Sequence, residues 1–406
     1  MICMETDSKK IAVIGGGPAG MLACLLLADA GCKNILLLER NDRLGRKLSA
    51  TGNGQGNITN EDMGTHRYFS SDREKAGRIL AAFGKWELIE YLVSLGGLFV
   101  ADGEGRVYPA SRQAASVTDI MRFALASRGV CVHTGEFVRG AQKREGKFRV
   151  FTDKAEYCAD YLIVAAGGKA SPHFGSDGNG YALARSFGHT VTALSPALVQ
   201  LRTDRENIKG LKGIRAECAL RLLRGEEIFA CRGDVIFTDY GVSGNAVFRA
   251  SSFARENDVL SLDFLPDCEE DKLVCVLKDK AENCGALLSE NLLRCIVHSA
   301  VAGCVLRSLG VSPSATCASL RGRANSIARR VKDFRLHITG SMGFENAQIT
   351  KGGVSLGEVD EYLMSVKVPG LFFAGEVLDV DGECGGYNLQ WAFSSGARCA
   401  KRIASL

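Results

Sequence analysis

The chain has 406 residues, of which 46% are hydrophobic and 24% are charged, so it can bury a large core and is not a disordered segment. The 50 Lys and Arg residues nearly balance the 46 Asp and Glu residues, and the net charge of +4 argues against a nucleic-acid partner. The 15 cysteines form no CxxC pair, which argues against local dithiol chemistry and metal binding. With no secretory pattern, this cysteine usage favours a cytoplasmic protein.

Two apolar runs separated by glycines predict the first elements. Ile11–Ile14 predicts a strand, Ala19–Ala30 a helix and Ile35–Leu38 a second strand. The uncharged stretch from residue 11 to residue 28 has the length of a membrane span, but Gly15-Gly16-Gly17-Pro18 would break such a helix. We therefore predict a βαβ unit here and no membrane association.

The hydrophobic pattern then predicts further helices and strands, and it changes after Ser195-Pro196. The predicted helices are residues 72–96, Val117–Ser127 and Gly180–Phe187. The predicted strands are Val130–His133, Phe148–Thr152 and Tyr161–Ala165. Beyond residue 196, short alternating segments predict antiparallel strands, among them Glu217–Leu222, Glu227–Cys231 and Asp234–Thr238.

The last part of the chain returns to the pattern of the first. Asp267–Arg330 reads as helical, and residues 334–350 read as strand-like. Gly370–Ala374 then predicts a buried strand and Asn388–Ile403 a helix. We predict a discontinuous nucleotide-binding domain over residues 1–195 and 351–406, a β insert over 196–265 and 331–350, and a helical insert over 266–330.

The first motif is a glycine turn between the first strand and helix. Gly15 permits the tight turn, Gly17 lets the backbone approach a pyrophosphate, and Gly20 lets the helix pack on the strand. Pro18 and Ala19 open the helix, whose N-terminus presents free N–H groups to an anion. Glu39 ends the second strand, where a carboxylate accepts hydrogen bonds from a ribose and would repel the 2′-phosphate of NADP.

Four further segments indicate cofactor contacts, and together they indicate a long cofactor with a second polar arm. The loop from residue 45 to residue 60 combines cations, hydroxyls and glycines, and we predict cofactor contacts from Arg46, Lys47, Thr51, Gly52, Gly54, Asn57 and Thr59. Ala166, Gly167 and Gly168 follow one predicted strand, and Gly375 and Glu376 follow another. The helix that starts near Asn388 could aim its positive end at the C2 carbonyl and N1 of a flavin.

These motifs resemble, in order and nearly in spacing, those of the HI0933-like flavoproteins. The matching segments are Gly15–Gly20, Arg46–Asn60, Gly167–Gly180, Phe237–Gly244, Ala347–Val354 and Gly375–Gln390. The resemblance implies an α/β fold with a Rossmann-type FAD-binding domain of the glutathione-reductase type, interrupted by an antiparallel β domain and a helical domain. It implies FAD as the cofactor and adds Arg40, Val138, Gly386, Tyr387, Asn388, Leu389 and Gln390 to the cofactor-binding residues.

Two positions depart from the family pattern. Gln55-Gly56 stands where the family usually has Arg-Cys, and Cys384 stands where it more often has Thr. The lost Arg and Cys remove any role that this pair plays in relatives.

The resemblance and the flavin chemistry together favour a reductase. Hydride would pass from NAD(P)H, as a transient donor, through FAD to a C=C bond conjugated to a carbonyl, in a small steroid-like or bile-acid-like substrate. Tyr387 is the first candidate for the proton donor, and Cys384 is a candidate flavin-side thiol. Three alternatives remain open: an amine or aminoketone oxidase that uses O₂, a non-catalytic redox sensor, and a tRNA-modifying flavoenzyme, which the near-neutral charge weakens.

Overall fold

The computed structural model describes residues 9–406 of the chain. In chain order its strands are β1 (Lys10–Ile14), β2 (Asn34–Leu38), β3 (Thr59–Asn60), β4 (Tyr68–Ser70), β5 (Phe99–Ala101), β6 (Arg106–Pro109), β7 (Cys131–His133), β8 (Val138–Arg144), β9 (Lys147–Thr152), β10 (Glu156–Ala159), β11 (Tyr161–Val164), β12 (Ser195–Ala197), β13 (Leu201–Thr203), β14 (Arg215–Arg224), β15 (Glu226–Phe237), β16 (Gly241–Ser243), β17 (Val259–Asp263), β18 (Phe334–Ser341), β19 (Ile349–Lys351), β20 (Leu371–Phe373) and β21 (Val380–Gly382).

The α-helices, numbered in the same way, alternate with these strands in the first and last parts of the chain. They are α1 (Pro18–Asp29), α2 (Arg46–Ser49), α3 (Arg73–Ala82), α4 (Lys85–Ser94), α5 (Ala114–Ser127), α6 (Asn179–Ser186), α7 (Asn245–Ser251), α8 (Glu270–Asn283), α9 (Ser299–Ser308), α10 (Ala324–Lys332), α11 (Gly343–Asn346) and α12 (Tyr387–Ser405).

The chain divides into two compact units. The first comprises the residues up to Pro196 together with Gln348–Leu406, and the second comprises Ala197–Ala347. The first unit is therefore discontinuous in sequence. The finer division into a β insert and a helical insert remains a prediction, although the barrel strands and helices of the second unit contribute to one hydrophobic core.

A five-stranded parallel sheet in the order β20-β11-β1-β2-β7 lies at the centre of the first unit. Its apolar runs are buried, as expected for parallel strands that are covered on both faces. Helix α1 is buried over most of its surface and packs closely on α12. Gly396 allows this close approach, because a Cβ at this position would overlap the backbone of Ala19.

One predicted helix of the first unit is two helices in the structure. Residues 72–96 form α3 and α4, with a break at Phe83-Gly84 where Gly84 takes an extended backbone conformation. The Glu87 carboxylate accepts a hydrogen bond from the Gly84 N–H at 2.9 Å, which caps α4. The prediction of one continuous helix was wrong because a cap begins a new helix inside the periodic pattern.

The second unit is built on a closed antiparallel barrel in the order β13-β16-β15-β14-β17-β18. Buried residues of α8, α9 and α10 join the barrel residues in one apolar cluster. The separate segments predicted at Glu227–Cys231 and Asp234–Thr238 form a single long strand, β15, which pairs with β14 along its length. In residues 334–350, the predicted strand pattern is interrupted by the short helix α11. Among the helices of the described residues, none is long and apolar enough to cross a membrane.

Candidate functional site

The sheet topology brings four predicted segments to one edge. Strands β1, β2, β11 and β20 are parallel neighbours, so their carboxyl ends lie at the same edge. The glycine turn follows β1, Glu39 follows β2, Ala165–Gly168 follows β11, and Ala374–Glu376 follows β20. Ligands of open parallel sheets bind at such an edge. Segments that are up to 360 residues apart in sequence therefore contribute to one place in the first unit.

The glycine turn has the backbone that its three roles require. Gly15 has a φ of 108°, and a Cβ there would overlap the carbonyl oxygen of Ala165. A Cβ at Gly20 would overlap the carbonyl oxygen of Gly15, so the first turn of α1 packs directly on the strand end. Gly17 differs from both, because no heavy atom outside Gly17 and its two chain neighbours lies within 4 Å of the position of its Cβ. The open space at Gly17, at the N-terminus of α1, fits a pyrophosphate.

Glu39 braces this turn from the end of β2. Its side chain is buried, and Oε2 accepts a hydrogen bond from the N–H of Gly16 at 2.8 Å. Oε1 accepts hydrogen bonds from the backbone N–H of Asn41 at 2.8 Å and from its side-chain amide at 2.7 Å. The neighbouring Arg40 lies 2.6 Å from Asp177 in an ion pair. Glu39, which we predict to bind the ribose, thus also links the glycine turn after β1 to the loop after β2.

The basic loop reaches across to the end of β20. The Nζ of Lys47 lies 2.8 Å from Oε2 of Glu376, and Oε1 of Glu376 accepts a hydrogen bond from the N–H of Thr350 at 2.8 Å. A Cβ at Gly168 would lie 2.5 Å from Oε1 of Glu376, so a larger residue there would displace this carboxylate. Arg46 donates to the side chain of Asn41 at 3.0 Å. Two predicted cofactor residues, Lys47 and Glu376, therefore contact each other.

This internal ion pair gives a first testable expectation. Both side chains are mostly buried, with 24% and 21% exposed, so Glu376→Gln should destabilise the protein by about 1–3 kcal/mol. The matched control is Glu361→Gln, which removes a more exposed pair with Arg78 and should change stability by about 0–1 kcal/mol. Thermal unfolding of the two variants measures the difference. Equal melting temperatures for the two variants would show that the ion pair between Lys47 and Glu376 contributes no more to stability than the exposed pair.

The N-terminus of α12 lies against the strand β3. Gly386 has a φ of 98°, and a Cβ there would overlap the carbonyl oxygen of Thr59 and lie 2.8 Å from Oδ1 of Asn57. That Asn57 oxygen is buried and has no hydrogen-bond partner in the structure. Thr59 instead donates to Oε1 of Gln390 at 2.6 Å. An orphaned amide oxygen beside the first turn of a long helix fits a ligand that supplies a hydrogen-bond donor.

The other predicted cofactor residues lie around these contacts. Thr51 donates to the carbonyl of Leu48 at 2.7 Å, and the Asn388 side chain bridges the N–H and the carbonyl of Gly382, at 2.8 Å each. The carbonyl of Val138 accepts a hydrogen bond from Asn179 at 2.8 Å. Several are glycines with a positive φ or small and apolar residues in the same segments, namely Gly52, Gly54, Ala166, Gly167, Gly375 and Leu389.

The two predicted reactive side chains lie at the turn into α12. Tyr387 is 4% exposed, and its ring packs edge-on against Tyr68 with 5.9 Å between centroids. The guanidinium of Arg67 lies 5.9 Å from the centre of the same ring. Cys384 is half-buried three residues earlier. The phenol of Tyr387 is therefore in a largely dry environment with one cation nearby.

Sequence reasoning missed Asp381, a buried carboxyl on β21. Asp381 is 2% exposed, and its Oδ2 has no hydrogen-bond partner in the structure. Burial raises the pKa of Asp381 to about 7; the Lys351 cation opposes this shift and Asp379 adds to it. The signal in the sequence is an acidic residue between Val380 and Gly382 within an apolar stretch just before a glycine turn. This carboxyl can hold or release a proton near neutral pH.

A parallel sheet with a glycine turn, a braced acid and a helix N-terminus at one edge defines a Rossmann-type nucleotide-binding protein. The family model described as HI0933-like protein Rossmann domain matches residues 9–402. The chain belongs to this family and is an FAD-dependent oxidoreductase. The predicted family, enzyme class and Rossmann-type α/β architecture are confirmed.

Curated relatives match the chain over nearly its full length. The 3-dehydro-bile acid delta(4,6)-reductase of Clostridium scindens is 36% identical over 98% of this chain and 99% of its own. The ribosomal RNA dihydrouridine synthase of Escherichia coli is 28% identical over 96% of this chain and 97% of its own. Among solved structures, the 3-ketosteroid-delta4-(5alpha)-dehydrogenase of Rhodococcus jostii matches with a TM-score of 0.49 and 16% identity, over 99% of this chain and 97% of its own.

Proposed function

We propose that this enzyme uses NAD(P)H to reduce a C=C bond conjugated to a carbonyl in a steroid-like or bile-acid-like small molecule. The observation that carries the substrate class is the 36% identity to the bile-acid reductase over nearly all of both chains. The delta-4 double bond named in that relative lies next to the 3-keto carbon and the delta-6 bond is conjugated through it, so the acceptor is an electron-poor alkene. A cytoplasmic location, where both nicotinamides are available, belongs to the same proposal.

The residues at the sheet edge would hold FAD in the manner of the glutathione-reductase type. The backbone at Gly15, Gly17 and Gly20 would hold the pyrophosphate, and Glu39 would face the ribose. The N-terminus of α12, from Gly386 onward, would place its positive end near the isoalloxazine ring. When bound, FAD supplies hydride transfer between a reduced nicotinamide and the electron-poor carbon.

Reduction of an enone also requires a proton at the carbon next to the carbonyl. Tyr387 and Asp381 are the two candidates, since one carries a phenol and the other a carboxyl whose pKa is raised to about 7 by burial. Gly382, next to Asp381, packs against Tyr387, so both candidates lie in the same turn before α12. Cys384 is a third polar group of this turn and would contact the flavin side of the pocket.

The dihydrouridine synthases support a second candidate function. Dihydrouridine differs from uridine by saturation of one C=C bond that is conjugated to a carbonyl, so the two named activities share one chemistry. RNA binding is largely electrostatic. The net charge of +4, from 50 basic and 46 acidic residues, supports a small-molecule substrate and no nucleic-acid partner.

Anaerobic stopped-flow on the purified flavoprotein tests the proposal. We expect NADH or NADPH to bleach the flavin absorbance within minutes, and a 3-keto bile acid with conjugated double bonds to restore it while gaining two hydrogens. If neither nicotinamide bleaches the flavin, the proposal is wrong. Restoration by ribosomal RNA, with dihydrouridine as product, would support the second candidate. Peroxide formation with an amine and no nicotinamide would instead identify an oxidase.

A further inference from the structure

An exposed thiol outside the predicted cofactor residues lies beside a histidine. Cys131 and His133 are alternate residues of β7, the edge strand of the parallel sheet, so their side chains leave the same face. The Sγ of Cys131 lies 3.4 Å from Nε2 of His133. Cys131 is exposed to solvent, and a reagent can therefore reach its sulfur.

Glu136 and Tyr157 determine which ring nitrogen of His133 carries the hydrogen, because both contact Nδ1. The Nδ1 of His133 lies 3.2 Å from Oε2 of Glu136 and 2.8 Å from the hydroxyl of Tyr157. Burial raises the pKa of Glu136, but hydrogen bonds from Thr152, Tyr157 and His133 outweigh it and lower the pKa, so this buried group is a carboxylate. An acceptor that faces Nδ1 requires a hydrogen there, which leaves the Nε2 lone pair facing the thiol.

We propose that Cys131 is a reactive thiol that exchanges with low-molecular-weight disulfides, with His133 as its base and Glu136 as the residue that orients the base. A nucleophile within hydrogen-bond reach of a base, which a third group orients, is the arrangement that activates thiols in enzymes. The imidazole takes the proton of the Cys131 thiol. The resulting thiolate attacks one sulfur of the disulfide, the S–S bond of the reagent breaks, and the departing thiolate takes the proton from the imidazolium. The products are one mixed disulfide on Cys131 and one free thiol.

Other exposed cysteines of the chain serve as controls for the reactivity of Cys131. Cys158, Cys275 and Cys295 are also exposed free cysteines. Within the described residues, no hydrogen bond joins any of them to an imidazole. A difference in rate between Cys131 and these three thiols therefore reports on the neighbouring His133 and not on exposure alone.

Peptide mass mapping after brief treatment of the flavoprotein with glutathione disulfide at neutral pH tests the proposal. We expect Cys131 to be modified about tenfold faster than Cys158, as for thiols that lie next to a base. Glu136→Gln should slow the modification of Cys131 about tenfold and leave the rate at Cys158 unchanged. This readout does not depend on FAD chemistry or on the identity of the substrate.

The matched control is Glu156→Gln, which removes an exposed carboxylate from β10 without touching the imidazole. Glu156 pairs with Arg149 at 3.4 Å, so its loss should not change the rate at Cys131. If Glu136→Gln does not fold, His133→Asn and Tyr157→Phe make the same comparison with smaller changes to the buried interior. Equal rates at Cys131 and Cys158 in the unaltered protein would overturn the proposal.

Discussion

Gly17→Ala should yield a folded protein that has lost most of its flavin. The backbone at Gly17 has a φ of −79°, which any residue adopts, and no atom outside the adjacent residues lies within 4 Å of the position of the new Cβ. The methyl group would instead fill the space that fits the pyrophosphate. Overpacking of this kind costs about 1–3 kcal/mol, which weakens FAD binding by about 10–100-fold. The flavin-to-protein absorbance ratio and a titration of the apoprotein with FAD measure the change.

Two other glycines provide the controls for this substitution. Gly140→Ala also places a Cβ where no atom lies within 4 Å, but on β8, and should keep its flavin. Gly15→Ala should lose both flavin and stability, because its Cβ would overlap the backbone of Ala165. Full flavin content in Gly17→Ala would show that the cofactor does not approach the backbone at this turn.

Asp381→Asn should stabilise the protein strongly at alkaline pH and only modestly at pH 5. The pKa of Asp381 is raised by burial to about 7, whereas the unfolded chain has a value of about 3.9. Between these two values the folded state binds more protons than the unfolded state, so stability falls as pH rises and then levels off above pH 7. Asparagine cannot ionise, so the variant does not lose this free energy of unfolding. The loss in the unaltered protein is about 4 kcal/mol at pH 8 and about 1–2 kcal/mol at pH 5.

Melting temperatures at pH 5 and pH 8 measure this difference. The control is Asp42→Asn, which changes an exposed carboxylate of the same unit and should shift neither temperature. If Asp381→Asn melted as the unaltered protein does at both values, Asp381 would be ionised and solvated in the folded state. If Asp381 also supplies the proton in the proposed reduction, turnover of the enone by the Asp381→Asn variant should fall by about 10²–10⁴-fold. Bleaching of its flavin by NAD(P)H should stay unchanged.

Sequence reasoning predicted the elements whose signals are local. The apolar runs of β1, β2 and β11 and the glycines that follow them are contiguous in sequence, so both the strands and their turns could be identified. The break between α3 and α4 was missed because Gly84 sits inside an unbroken periodic pattern. Closure of the barrel depends on β13 pairing with both β16 and β18, which are about a hundred residues apart, and no local pattern contains that information.

Contacts between distant segments were also missed among the side chains of the site. Each motif was predicted from its own segment, with its side chains facing a ligand. The structure shows that Glu39 also binds Gly16, that Lys47 contacts Glu376, and that Thr59 donates to Gln390. These pairs join segments that are distant in sequence, so their partners could not be read from the motifs. Asp381 was missed because its unusual property arises from burial, which a sequence of mixed polarity does not reveal.

The discontinuity of the first unit determines the order in which the protein can be completed during synthesis. Residues 197–347 are synthesised before β20 and α12, and the second unit has its own core. Until the last segment of about 60 residues emerges, the parallel sheet lacks its edge strand β20, and α1 lacks its partner α12, whose Gly396 packs against Ala19. We therefore expect stable loading of the cofactor only after β20 and α12 have emerged. A ribosome-stalled chain that ends before residue 371 should not retain flavin, whereas the released full-length chain should.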